Sequence, residues 1–403
     1  MLSLLLMVTT AAGDGWPQFL GPTRDGVYAG EALADSWPAD GPPLLWKKEI
    51  GAGFSGPAVA DGRLVLFHRR GDEELVQCLD AATGAEIWTH SHPTAYRDSF
   101  GFDKGPRATP AIAAGRVYTF GAEGVLSAVD FKTGARIWSV DTAAKFSVPK
   151  GFFGAACSPL IESDRVLMNL GGKDGAGLVA FDRETGAVAW KTGGDQASYS
   201  SPVAATIGGR RLVLFLTFVS LTGVDPATGE VRFTFPVPVR NPSSVKAAAP
   251  LVIGDQVFIS ASYDVGAFLL RIKDKEVQTV WESDEALSNH YATSVFFQDH
   301  LYGFHGRQEY APSLRCVELK SGKVGWSEER FGGGTLMLAG TRLLILTDKG
   351  ELILAPADPE RFRPLARAKV VGGEVRAYPA LAAGRFYARN ENTLVCLDLR
   401  KRG

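Results

Sequence analysis

Histidines, cysteines, glycine-rich stretches and a scatter of cationic and aromatic residues are the parts of this chain from which chemistry would have to be built. His90-Ser91-His92 would set two imidazoles on one face of an extended strand, a beginning for zinc. No third ligand stands at metal spacing, so a solvated strand edge is expected there and no bound metal. Cys78, Cys157, Cys316 and Cys396 form neither CxxC nor CxxCH, which leaves structural zinc and covalent haem without support. Gly53-Phe54-Ser55-Gly56-Pro57 fails the nucleophile-elbow pattern because proline stands where the last glycine is required. Gly171-Gly172-Lys173-Asp174-Gly175 and Gly332-Gly333-Gly334-Thr335 match no phosphate loop and read as hairpin turns or a linker. No catalytic residue emerges. What remains is binding chemistry: Arg107, Lys150 with Phe152 and Phe153, Tyr199, Lys246, and Asn289 with His290.

Those residues share a context, which turns attention to the elements that carry them. They fall near short runs of small residues and proline ahead of a hydrophobic stretch, as in Ser55-Gly56-Pro57, Ala108-Thr109-Pro110, Cys157-Ser158-Pro159, Ser200-Ser201-Pro202 and Ala248-Ala249-Pro250. Later copies are Ala292-Thr293-Ser294, Gly334-Thr335-Leu336 and Ala377-Tyr378-Pro379, which makes eight. Small residues suit strands that converge on an axis.

A second phrase alternates with the first. Asp80–Trp88 reads DAATGAEIW, Asp130–Trp138 DFKTGARIW, Asp182–Trp190 DRETGAVAW and Asp225–Phe233 DPATGEVRF, with a weaker copy at Glu318–Trp326. The aspartate can accept from backbone two residues on, and the glycine takes the positive φ that closes a hairpin. From Trp46 to Trp326 the aromatic marks are spaced about 47 residues apart, the range of a four-stranded propeller blade. The chain therefore reads as an all-β, eight-bladed β-propeller of four-stranded antiparallel blades, with an indole between neighbouring blades. Around residues 333–365 the phrase has degraded to Ala355-Pro356-Ala357-Asp358-Pro359, which predicts a longer or differently shaped outer hairpin.

The two ends complement each other. Leu44-Leu45-Trp46 carries the aromatic half of the phrase and Cys396-Leu397-Asp398 the acidic half, so the N-terminal strand is expected to complete the C-terminal blade and close the ring. Residues 44–403 then form the propeller and 14–43 a strap across it, packed by Trp16, with Arg24 and Asp25 paired locally. Cys78, Cys316 and Cys396 each stand two residues before the acidic turn residue of a different blade, too far apart to bridge, so buried free thiols are expected.

Residues 1–13, MLSLLLMVTTAAG, form an apolar run ending in small residues that resembles a signal peptide and predicts export to the periplasm or cell envelope. No other stretch has 18 uncharged apolar residues, so a soluble mature protein without a transmembrane segment is expected. A net charge of −1 offers no footprint for nucleic acid, and a protein partner or small ligand is expected, with the chain itself a monomer.

The repeated Asp-x-x-Thr-Gly-x-x-x-Trp phrase, over about residues 40–399, resembles the pyrroloquinoline-quinone-like (PQQ-like) β-propeller repeat family. That family includes eight-bladed quinoprotein dehydrogenases and a non-catalytic lipoprotein that assists outer-membrane protein assembly. The dehydrogenases hold PQQ with a calcium or lanthanide ion, a catalytic Asp and often a disulfide between neighbouring cysteines. This chain has no adjacent cysteines and none of their metal ligands falls on a matching motif, so no cofactor is expected. The resemblance implies an exported scaffold without catalysis of its own, binding through the channel-rim residues Arg107, Lys150, Phe152, Tyr199, Lys246, Asn289 and His290. The alternatives are a PQQ-dependent quinoprotein oxidoreductase and a glycan- or small-molecule-binding propeller.

Overall fold

Each outer hairpin is shaped by its aspartate. Asp80 Oδ1 accepts from the Ala82 and Thr83 amides at 3.0 and 2.8 Å and from Thr83 Oγ1 at 2.8 Å. Asp130 and Asp182 repeat the arrangement. Bonds from the threonine lead in holding all three carboxyls below their ordinary range. The glycine that follows, φ 72° at Gly84, lets the chain reverse. One residue before the aromatic, the returning strand slips by one place in register. This bulge leaves Ile87 and Ile137 outside and turns Trp88 and Trp138 inward.

The computed structural model describes residues 15–401 apart from 39, 98, 102, 103 and 243, so the leader expected over 1–13 lies outside the described residues. Eight antiparallel sheets follow one another: residues 58–93, 111–141, 160–192, 203–236, 251–283, 295–328, 334–369 and 380–398, here blades 1 to 8. Blade 8 has only three strands of its own, and Leu44–Glu49 pairs antiparallel with Thr393–Asp398 to supply the fourth. The eight-bladed ring and its closure are those expected from the sequence.

Closure is clamped at Gly51, whose N–H donates to His68 Nδ1 at 2.9 Å and whose carbonyl accepts from Arg389 Nη2 at 2.8 Å. Burial, with help from Arg389, pushes the His68 pKa down to about 3. The folded protein thus resists protonating this ring while the unfolded chain takes a proton near pH 6.5. Its contribution is complete above pH 6.5 and is lost as pH falls toward 3, by about 1.4 kcal/mol per unit. NMR should find His68 neutral at pH 5, where urea unfolding should also come at lower concentration than at pH 7. A His68 ring that titrates near 6.5 in the folded protein would remove this account.

The seams are wedged as the phrase implies. Trp46, Trp88, Trp138, Trp190 and Trp281 each donate their indole N–H to the carbonyl one residue after the acidic turn residue of the next blade, at 2.7–3.2 Å. Each ring lies on that turn's glycine so closely that a Cβ there would come within 2.6–2.9 Å of it. The exceptions occur in pairs. Blade 5 turns tightly from Lys273 to Glu276, without the Thr-Gly loop. The aromatic facing it is Phe233, which has no N–H to donate and leans on Gly223 of its own blade. Blade 7 has the longer outer hairpin expected, where Trp326 donates to Asp358 O at 2.8 Å and packs on Phe362. Its own outer strand, Ala366–Lys369, has no indole because the turn it would meet is divided between the two chain ends. Gly41 approaches Ala368 there instead.

The cysteines follow from the same packing. Cys78, Cys316 and Cys396 sit across the ladder from Trp88, Trp326 and Trp46, where only a small side chain fits beneath the indole. All four thiols are free and buried, and burial raises their pKa to about 11 or 12.

Around the axis, the residue before each inner-strand proline explains the small-residue signature. Gly56 N–H donates to Thr109 Oγ1, Thr109 N–H to Ser158 Oγ, and Ser158 N–H to Ser201 Oγ, at 2.9–3.2 Å. Ala249 N–H donates to Thr293 Oγ1, and Thr293 N–H to the Tyr378 hydroxyl. Blades 1 to 4 are thus tied in series by a backbone donor and the next blade's hydroxyl, blade 5 is tied to blade 6 in the same way, and blade 6 reaches past blade 7 to the tyrosine of blade 8.

The strap enters this channel rather than lying over it. Trp16 pairs with Val59 of blade 1, and the Pro17 carbonyl accepts from Ile112 of blade 2. Val27–Tyr28 then runs parallel to the inner strand of blade 7 as a fifth strand. The expected Arg24–Asp25 pair does not form. Arg24 is buried and donates to the Pro159 and Ser158 carbonyls of blade 3 at 2.9 and 3.1 Å, while Asp25 accepts from Thr23 and the Val27 amide. A guanidinium inside the channel has unpaired carbonyls to satisfy, to which the acceptor-only carboxylate of Asp25 offers no donor.

Candidate functional site

Connections from one blade's outer strand to the next blade's inner strand gather on one face, opposite the aspartate turns. On that face the structure brings four predicted residues, Lys150, Phe152, Tyr199 and Lys246, around one cavity of about 640 Å³ bounded by loops of blades 1 to 5. Lys150 Nζ donates to the Arg97 carbonyl at 2.6 Å and lies 5.5 Å from the Tyr96 ring. Lys246 is fully buried, with its ammonium on the carbonyls of Phe218, Pro238 and Val237 at 2.6, 2.9 and 3.3 Å. Burial lowers its pKa to about 8. The Tyr199 hydroxyl accepts from the Phe153 amide at 3.2 Å, and burial raises its pKa.

Arg107 adjoins this cavity at the channel mouth. Its guanidinium lies 5.6 Å from Phe54, 5.6 Å from Phe153 and 5.9 Å from Tyr96. Asn289 and His290 belong to another sector. Asn289 is buried, donating to Ser294 Oγ and the Phe304 carbonyl at 3.1 and 3.0 Å. His290 Nε2 meets the Tyr263 hydroxyl at 3.2 Å, and burial brings its pKa down to about 4.

Two groups escaped the sequence reading. Arg376 lies 5.4 Å from Phe54, on a ring already faced by Arg107. A signal existed: Phe54, Arg107, Tyr199 and Arg376 all stand three residues before an inner-strand proline. The second is Arg307, 4.2 Å from Tyr263 and 5.2 Å from Tyr310. Tyr263 and Asp264 turn at φ 65° and 63°, which no local motif announces.

The histidine pair lies on an outer edge strand as expected, but His92 is not simply solvated. His92 Nε2 lies 3.1 Å from Glu74 Oε2, and the other Glu74 oxygen accepts from the Ala122 amide of blade 2 at 3.0 Å, so the carboxylate ties two blades together. Among the described residues no three His, Cys, Asp or Glu side chains gather as metal ligands, and no helix is long and apolar enough to cross a membrane.

Comparison with known proteins adds the following. The family described as outer membrane protein assembly factor BamB matches residues 72–328. The Shewanella oneidensis protein named BamB is 23% identical over 302 residues, covering 70% of this chain and 71% of that one. A quinohemoprotein alcohol dehydrogenase, ADH-IIG of Pseudomonas putida, is 34% identical over 157 residues, 37% of this chain but only 21% of the enzyme. In fold, BamB from Moraxella catarrhalis matches with TM-score 0.66 at 16% identity, over 90% of this chain and 98% of that one. A quinohemoprotein alcohol dehydrogenase from Comamonas testosteroni gives 0.70 at 15% identity, over 98% and 82%. Both describe the same eight-bladed architecture and, at such identities, nothing finer.

Proposed function

This chain belongs to the outer membrane protein assembly factor BamB family, and from that premise we propose that it is an exported, non-catalytic propeller of the cell envelope that binds a protein partner in outer-membrane protein assembly. Residues 14–43 serve as its strap and 44–403 as its ring. The observation that carries this reading is where large apolar side chains remain exposed. One set, such as Ile87 and Ile137, belongs to the bulged outer strands. The other is Phe100, Phe152, Val219, Val239 and Tyr310, on loops of the cavity-bearing face, with Phe100 58% and Tyr310 75% exposed. Exposed aromatics on rigidly held loops are the usual anchors of a protein interface.

A PQQ-dependent oxidoreductase is the second reading, favoured by the stretch shared with ADH-IIG. The side chains of the channel mouth do not fit it. A hard cation needs several converging oxygen ligands. The mouth instead presents the guanidinium groups of Arg107 and Arg376 about Phe54.

Cross-linking in native envelopes followed by identification of the partner tests the proposal. We expect an outer-membrane assembly protein, with yield falling about tenfold when Val219→Ser and Tyr310→Ser are combined, the loss of two anchors. Unchanged yield in that variant would move the interface elsewhere. A rise in melting temperature with PQQ and calcium, together with dye-linked alcohol oxidation, would replace the scaffold reading by the enzyme.

A further inference from the structure

We propose that the cavity bounded by the loops of blades 1 to 5 is a carbohydrate site, taking a short, uncharged oligosaccharide. The proposal concerns the interior of the cavity, and it stands whether or not the surrounding apolar loops bind a protein.

The first argument is charge. Every ionic side chain in the cavity wall is already engaged by the protein. Lys246 is bonded to three carbonyls and Lys150 to that of Arg97. Arg97 donates to the Tyr96 carbonyl and meets Asp72, and Glu123 accepts from Thr94 Oγ1 and the Ala95 amide. Bonds to the protein hold each of these groups against the wall.

The second is what lacks a partner. Asn169 and Ser244, 3% and 5% exposed, both belong to the wall, yet Asn169 Oδ1 and Ser244 Oγ make no hydrogen bond among the described residues. A buried neutral acceptor and a buried hydroxyl call for a ligand that offers donors and acceptors without charge, as sugar hydroxyls do. Gln196 and Ser198 add neutral polar groups to the same wall.

The third is shape. Phe152 stands half out of the wall beside Phe100, with ring centroids 5.8 Å apart, and offers a flat apolar face on which the C–H side of a pyranose can rest. A volume of about 640 Å³ falls within the roughly 300–1,000 Å³ of small-ligand sites. The wall consists of loops and hairpin ends, so it gives an extended peptide no open strand edge to pair with.

Calorimetric titration of the full chain with maltotriose, cellotriose and tri-N-acetylchitotriose tests this, with trialanine amide and inorganic phosphate as the contrasting probes. At least one sugar should bind with Kd below about 1 mM, and the two contrasting probes should not. Ser244→Ala, the loss of one hydrogen bond, should weaken it about fivefold, and Phe152→Ala about tenfold. The Val219→Ser, Tyr310→Ser protein should bind the sugar normally, which separates failure here from failure of the protein-partner reading. No heat with any sugar up to about 10 mM would overturn the proposal. So would binding of trialanine amide or phosphate in place of sugar, or sugar binding that both cavity variants leave unchanged.

Discussion

Replacing Trp138 by alanine is expected to lower the unfolding free energy by about 3–5 kcal/mol, the range for removing a buried indole. This residue joins blade 2 to blade 3 in two ways. Its ring covers Gly186, and its N–H is bonded to the Arg183 carbonyl at 3.1 Å. Alanine would open a void at the seam and leave that carbonyl only the longer bond from the Tyr118 hydroxyl, at 3.4 Å. The turn glycine, at φ 71°, has no side chain with which to fill the gap. Urea titration should show a lower midpoint at an unchanged slope, since the surface exposed on unfolding stays nearly the same. Trp138→Phe keeps most of the ring and loses the N–H, so about 1–2 kcal/mol is expected. If the alanine variant costs less than the phenylalanine one, the wedge is not what holds the seam.

The second large effect is expected at Arg24, where methionine should cost about 3 kcal/mol by leaving two buried carbonyls unpaired. Burial lowers the Arg24 pKa to about 10, so the guanidinium remains charged at neutral pH and binds the Ser158 and Pro159 carbonyls as a cation. Methionine preserves most of the volume and none of the donors. Part of the loss is offset because a charge no longer has to be desolvated. The local signature is exchange of two amides that the strap protects: Leu338, bonded to the Gly26 carbonyl, and Val59, bonded to that of Trp16. Both should exchange faster, while Phe215 of blade 4 keeps its protection. Full stability with both amides still protected would mean that the packing of Trp16 and Leu20 alone retains the strap.

Much of the fold was legible because its instructions are local. An Asp-x-x-Thr-Gly phrase folds its own turn through three bonds to one carboxylate oxygen, and the indole that follows needs only the same turn in the next blade. The coupling of exceptions was less legible. Phe233 reads as a conservative variant of Trp until the tight turn of blade 5 shows that there was no matching acceptor loop. Arg24 read as half of a local ion pair because the sequence shows only its neighbours. Its true acceptors are more than 130 positions away.

The candidate site divides along the same line. The sequence alone determined the blade count, the closure by the N-terminal strand and the side of the ring on which Arg107, Lys150, Phe152, Tyr199 and Lys246 stand. Each of these follows from turns and strands that span a few residues. Only the tertiary structure decided that four of those residues border one cavity, that Lys246 is wholly satisfied by carbonyls, and that Asn169 and Ser244 are not. Side chains on loops some 50 positions apart meet only once the ring has closed and set the angle between blades. That angle comes from the packing of many seams together and is written in no single repeat.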